Sequence, residues 1–205
     1  TIRTKALRDF EAPSPQEIVA LLDKGEVATV EGLRALLLQE LQIYQAELDG
    51  SETTSKDIFY EKGERLGEVP ATLRIADRMR LRLEGKGITV TPEHQLQDAN
   101  RCDFTCTKII GYQRRLLVTE VKGQWHPELY TAASEQLHKR YSIHPDAEQQ
   151  GIYLVLWFGA NEKVASRKST ELNSAHDLKQ SIENTMPSEL RGLIDVFVLD
   201  LSRSK

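Results

Sequence analysis

Glu120 and Lys122 close a short apolar run, Arg115-Leu-Leu-Val-Thr-Glu-Val-Lys-Gly123. Strand side chains alternate between faces, so Glu120 and Lys122 point one way and Val121 the other. A carboxylate and an ammonium at the end of a buried strand are costly to desolvate. They form either a plain ion pair or part of a polar site that uses both signs of charge. A second carboxylate favours the site. Cys102-Asp-Phe-Thr-Cys-Thr-Lys-Ile109 reads as the preceding strand, and Gly111-Tyr-Gln-Arg114 as the hairpin turn between the two. That hairpin lays Asp103 beside Glu120 and Lys122. Asp103 and Glu120 together offer hard oxygen ligands for Mg²⁺ or Mn²⁺. Lys122 is then placed to orient or deprotonate water, or to stabilise charge developing on a phosphate.

A helix after the strand adds Gln136 and Arg140, four apart and therefore neighbours on one side. Both are expected to reach back toward the metal or the scissile phosphate. The order is a strand with Asp103, a strand with Glu120-Val-Lys122, a helix with Gln136-Leu-His-Lys-Arg140-Tyr141, then the strand Gly151–Phe158. This resembles the metal-dependent nucleases of the restriction-endonuclease-like (PD-D/E-x-K) superfamily, over roughly Glu68 to Phe158. Cys102 stands where the signature has proline, which keeps Asp98 as an alternative first carboxylate. The resemblance implies a metal held by Asp103, Glu120 and the Val121 carbonyl, with Lys122 and Gln136 assisting. It also implies that Glu68, at the start of the first core helix, serves the metal region. Glu93 is a weaker candidate of the same kind. The implied activity is Mg²⁺- or Mn²⁺-dependent hydrolysis of nucleic acid, with DNA as the expected substrate and endonucleolytic cutting favoured. A bacterial defence protein with a fused or associated sensor or motor module is the expected setting, and a homo-oligomer is open. Two other readings remain: a catalytically silent nuclease-like fold that binds nucleic acid or assembles with partners, and a structural salt-bridge cluster in an unrelated protein.

The elements that must position these residues are legible in outline. The expected fold is α/β, a mixed central sheet flanked by helices, with an N-terminal helical appendage. The expected division is a helical region at 1–58 and a nuclease-like domain at 59–205. Ser14-Pro-Gln-Glu17 has the cap and first-turn pattern of a helix ending at Gly25. A second helix runs from near Thr29 to Gly50, with Leu33, Leu37, Leu41, Tyr44 and Leu48 as one apolar stripe. Residues 50–58 read as a linker. A third helix begins at Glu68 and stops at Gly85-Lys-Gly87, with Leu73, Ala76, Met79 and Leu83 as its buried side. Arg74, Arg78, Arg80 and Arg82 lie on its other faces, and Arg78 and Arg82 are candidate phosphate contacts. Ile88–Thr91 reads as a first strand. Pro127 is expected to open the helix that runs through Tyr141, with Leu129, Ala132, Ala133 and Leu137 inward. Trp125 and His126 border the cleft, His126 as a neutral loop histidine. Ser174 caps a further helix through Met186, and Leu193–Leu201 is a last strand.

Composition fits this picture. At 40% hydrophobic and 28% charged, the 205-residue chain has an ordinary globular balance. The net charge of −4 argues against a strongly basic nucleic-acid wrapper. The charge is uneven: residues 1–64 carry 7 Lys/Arg against 13 Asp/Glu, while 65–205 carry 20 against 18. No apolar run approaches the ~20 residues of a membrane span, and no secretory leader is read, so a cytoplasmic location is expected. The first residue is Thr1, which suits a fragment or a processed product. Cys102 and Cys106 are expected to be reduced core residues sharing one strand face. No phosphate-cradling glycine loop, serine-nucleophile elbow or zinc-spaced cluster occurs.

Overall fold

The computed structural model describes residues 27–50, 55–95, 101–110, 112–165 and 172–203. The expected helix at 14–25 and the alternative carboxylate Asp98 lie outside these residues, as does the side chain of Glu93. Helix α1, Val30–Gly50, opens where the Thr29 hydroxyl accepts the Gly32 N–H at 3.0 Å. A 3₁₀ turn, Ser55–Phe59, leads into a two-stranded hairpin, β1 at Tyr60–Glu61 and β2 at Glu64–Arg65. Its tip is Lys62-Gly63, both at positive φ, which suits glycine at the second position. Helix α2, Glu68–Leu83, follows directly, and Gly87 at φ 68 ends the 3₁₀ turn that closes it.

A five-stranded sheet forms the centre: β3 Thr89–Gln95, β4 Arg101–Ile110, β5 Gln113–Gly123, β6 Gly151–Trp157 and β7 Ile194–Asp200, side by side in that order. β3, β4 and β5 are antiparallel neighbours, while β5–β6 and β6–β7 are parallel. Parallel neighbours need crossovers. A π-helix, Ala133–Tyr141, lies in the first, and helix α3, Ala175–Thr185, in the second. Ser174 Oγ caps α3 by accepting the Asp177 N–H. β6 is buried throughout, as an all-apolar strand covered on both faces should be.

Two core layers result. On one face Leu33, Leu37 and Leu41 of α1 and Ile75, Met79 and Leu83 of α2 pack on Leu117, Val121, Leu154 and Leu156. On the other, Leu129, Leu137, Leu178 and Ile182 cover Leu116, Val118, Tyr153 and Val155. The stripe expected on α1 is buried at all five positions, in the same layer as α2 and the sheet.

Several expectations need correction. Leu73 is exposed, because the row packed on the sheet is Ala71, Ile75, Met79 and Leu83, four residues apart. Cys102 and Cys106, which form no disulfide, lie in opposite core layers, so strict alternation does not hold along β4. Gln113 and Arg114 belong to β5 rather than to the turn. The segment after Pro127 is a series of turns before the π-helix begins at Ala133, although Leu129, Ala132, Ala133 and Leu137 are all buried as expected.

Candidate active site

The site lies where β4 parts from β5. The β4–β5 ladder runs from Ile110↔Gln113 to Phe104↔Thr119, whereas β5 stays paired with β6 as far as Gly123↔Leu156. Alternate N–H groups of a strand point to the same neighbour. Past Thr119, those of Val121 and Gly123 therefore have lost their strand. Two carboxylates replace it. Asp103 Oδ2 accepts the Val121 N–H at 2.6 Å, and Glu68 Oε1 accepts the Gly123 N–H at 3.0 Å. Glu68 reaches this point from the first residue of α2. Gly123 is required here: a Cβ would collide with the Trp125 ring.

On the opposite face of β5, Lys122 Nζ donates to Glu120 Oε1 at 2.6 Å, with both side chains buried. Glu120 Oε2 is also buried and, among the described residues, accepts no hydrogen bond. Burial pushes the Glu120 carboxyl up to about 7, aided by the charges of Asp103 and Glu68 and opposed by Lys122. Burial works against the charged Lys122 ammonium, but Glu120, Asp103 and Glu68 outweigh it and hold the lysine above its ordinary value. Both shifts run toward more positive charge. Asp103, Glu120 and Glu68 thus set three carboxylates around one ammonium.

Two further side chains join the site. Tyr153, the register partner of Glu120, donates its buried hydroxyl to the Leu129 carbonyl at 2.7 Å. Burial drives the phenol well above its ordinary value, and the charges of Glu120, Glu68, Asp103 and Glu128 add to this. Glu128, in the turns after Pro127, also receives the Gln136 amide. Sequence reading missed both. Tyr153 was hidden in an apolar run, although the only phenol in that strand was a usable signal. Glu128 had no motif to mark it.

The structure thus brings Asp103, Glu120, Lys122 and Glu68 together around Val121. It bonds Gln136 to Glu128 rather than to those carboxylates. Arg140 is exposed on the last turn of the π-helix. Arg78 and Arg82 do not form an open phosphate-facing row: Arg78 pairs with Glu47, and Arg82 with Glu40 and Glu47, across the seam between α1 and α2. His126 Nδ1 accepts the Glu128 N–H, as a neutral loop histidine can.

Hard oxygen donors are present for a divalent cation: Glu120 Oε2, the Asp103 carboxylate and the Val121 carbonyl. Among the described residues, no three His, Cys, Asp or Glu side chains stand close enough to form a ready-made cage. Also among them, no helix is long and apolar enough to cross a membrane. No family model matches the chain, and neither a curated protein nor a solved structure matches it.

Proposed function

We propose that this chain is a divalent-metal-dependent phosphodiesterase acting on nucleic acid, with DNA as the preferred substrate and internal cleavage as the mode. The observation that carries the reading is the buried Glu120–Lys122 pair, whose second carboxylate oxygen has no partner while Asp103 and Glu68 add negative charge around it. Most buried polar atoms find a partner, so an orphaned oxygen on a buried carboxylate calls for a reason, and a cation held there supplies one. Glu120 and Asp103 would hold the cation, with the Val121 carbonyl as a further oxygen. A bound Mg²⁺ or Mn²⁺ supplies Lewis acidity, lowering the pKa of water and offsetting charge on the phosphate.

The protein's own groups have separable tasks. Lys122 keeps its proton, so it acts as a positioned cation that orients water or meets the developing phosphate charge. Glu68 and Asp103 fix the β5 end by holding two backbone N–H groups, which keeps Glu120 and Lys122 in place. Tyr153 supports the floor beneath Glu120.

A second reading has its own support. Asp103 and Glu68 are both engaged by backbone amides, which takes up oxygens a metal would need and suits a catalytically silent fold that binds nucleic acid or assembles with partners. Incubation with labelled plasmid, single-stranded DNA and RNA, each with Mg²⁺, Mn²⁺ or EDTA, separates the two. The nuclease reading expects cleavage that EDTA abolishes and that Lys122→Ala lacks. Intact substrates under every metal condition would leave the silent fold.

A further inference from the structure

Beside the acidic cluster, five side chains form a continuous stack. Arg65 lies over the Trp125 ring at 3.3 Å, Trp125 packs on Phe158 with centroids 5.7 Å apart, Phe158 meets Tyr60 edge-on at 5.4 Å, and Arg203 covers Tyr60 at 3.7 Å. Trp125, Phe158 and Tyr60 pack in the α1–α2 layer, on the sheet face opposite Glu120 and Lys122, and the Arg65 end meets the candidate site at the tip of β5. Trp125 is the ring pressed against Gly123, the residue that donates to Glu68. Arg65 itself precedes Glu68 by three residues, on the last strand of the hairpin that leads into α2.

The guanidinium of Arg65 is held but not used up. Its Nε donates to Glu162 Oε2 at 2.9 Å, and among the described residues neither Nη atom has an acceptor. The inner face rests on the indole, and a quarter of the side chain stays exposed. A planar cation fixed in this way has lost its rotamer freedom before any ligand arrives. It offers a flat face for stacking and two N–H groups for an anionic oxygen. An unpaired nucleotide carries both complements, a base face and a phosphate. A base inside a duplex has its faces covered by its neighbours.

Resting on the phosphodiesterase reading, we infer that Arg65, clamped between Trp125 and Glu162, is a recognition residue for an unpaired strand that crosses the tip of β5 on its way to the scissile phosphate. The guanidinium takes a phosphate on its Nη atoms and a base on its outer face. Glu162 holds Arg65 flat and competes with the phosphate for its charge. The protein is accordingly selective for single-stranded or frayed nucleic acid over blunt duplex.

The test measures binding apart from cleavage. Fluorescence anisotropy in EDTA compares a labelled oligothymidine with a blunt duplex, across a salt series, for the wild type, Arg65→Ala and Glu162→Gln. The expected result is tighter binding of the unpaired strand by the wild type. Arg65→Ala weakens it about tenfold and lowers the salt slope by about 1. Glu162→Gln leaves Arg65 in place and tightens binding, which keeps the test decisive if Arg65→Ala melts early. Unchanged affinity in both variants, with Mg²⁺-dependent cleavage intact, overturns this inference and leaves the phosphodiesterase reading standing. A wild type that neither binds nor cuts any nucleic acid overturns both.

Discussion

The two oxygens of Glu120 meet different surroundings: one receives the Lys122 ammonium, and the other is buried without a partner. The cost of that arrangement depends on pH. The folded-state carboxyl titrates near 7, against an ordinary 4.5. A raised value means that the proton stabilises the fold. The contribution is fully present below pH 4.5 and is lost as pH rises through about 7, amounting to about 3 kcal/mol. In EDTA the wild type should therefore lose stability between pH 5 and pH 8, and Glu120→Gln should be flatter across the same range. Urea melts at the two pH values check this; parallel profiles would show that Glu120 is not strained. Lys122→Ala should abolish cleavage and destabilise most at high pH, where Glu120 is left ionised and alone. The Glu120–Lys122 pairing was readable because period-two alternation places those residues together. The orphaned oxygen was not, since it depends on how β4 leaves β5.

At the scale of elements, ion pairs tie α1 to α2. Glu40, almost fully buried on α1, receives Arg82 at 2.6 Å and Lys86 at 2.5 Å. Burial pushes its carboxyl up, but hydrogen bonds and charge from Lys86 and Arg82 outweigh this and hold it below the ordinary range. A depressed value contributes stability that is present above pH 4.5 and lost as pH falls through the lower folded value. Glu40→Ala leaves Arg82 with Glu47 alone and frees Lys86, and should cost about 1–3 kcal/mol at pH 7, with the gap from wild type narrowing on acidification. Denaturant melts at neutral and acid pH measure it, and a constant gap would refute the role given to the carboxylate. Gly123→Ala concerns a different junction. Its methyl meets the Trp125 ring, so it should cost about 1–3 kcal/mol and loosen the Glu68 anchor. A thermal melt matching the wild type would show that the ring yields without cost. The α1 stripe and strands β5, β6 and β7 were legible because their periodicity is local. The use of Arg78 and Arg82 was not, because their partners lie on another helix. The seat of Leu137 was hidden for a related reason: it lies where Gly151 leaves room for it, and that fit is made between elements.

Across the whole molecule, α1 and α2 cover the sheet face opposite Glu120 and Lys122, and the acidic excess of the N-terminal part includes Glu40 and Glu47, which neutralise arginines of α2. Composition gave that excess no address; the seam does. A mere helical appendage could be removed at some cost in stability with cleavage still detectable. The packing argues for a larger effect. Leu33, Leu37, Leu41, Tyr44 and Leu48 are all buried in the layer that holds Ile75, Met79 and Val121. At about 2 kcal/mol for each large apolar side chain, their removal matches the whole net stability of an ordinary domain, about 5–15 kcal/mol. Deletion would also uncover one face of β5 beneath the residue that joins Glu120 to Lys122. A protein lacking residues 1–50 should show no cooperative thermal transition and no metal-dependent cleavage, while single substitutions such as Leu37→Ala should cost about 2–5 kcal/mol and keep the transition. Circular dichroism melts and a Mg²⁺ cleavage assay on the deletion decide the matter. A cooperative melt with cleavage retained would mean that the sheet and α2 form a stable unit by themselves, and that α1 only shields it.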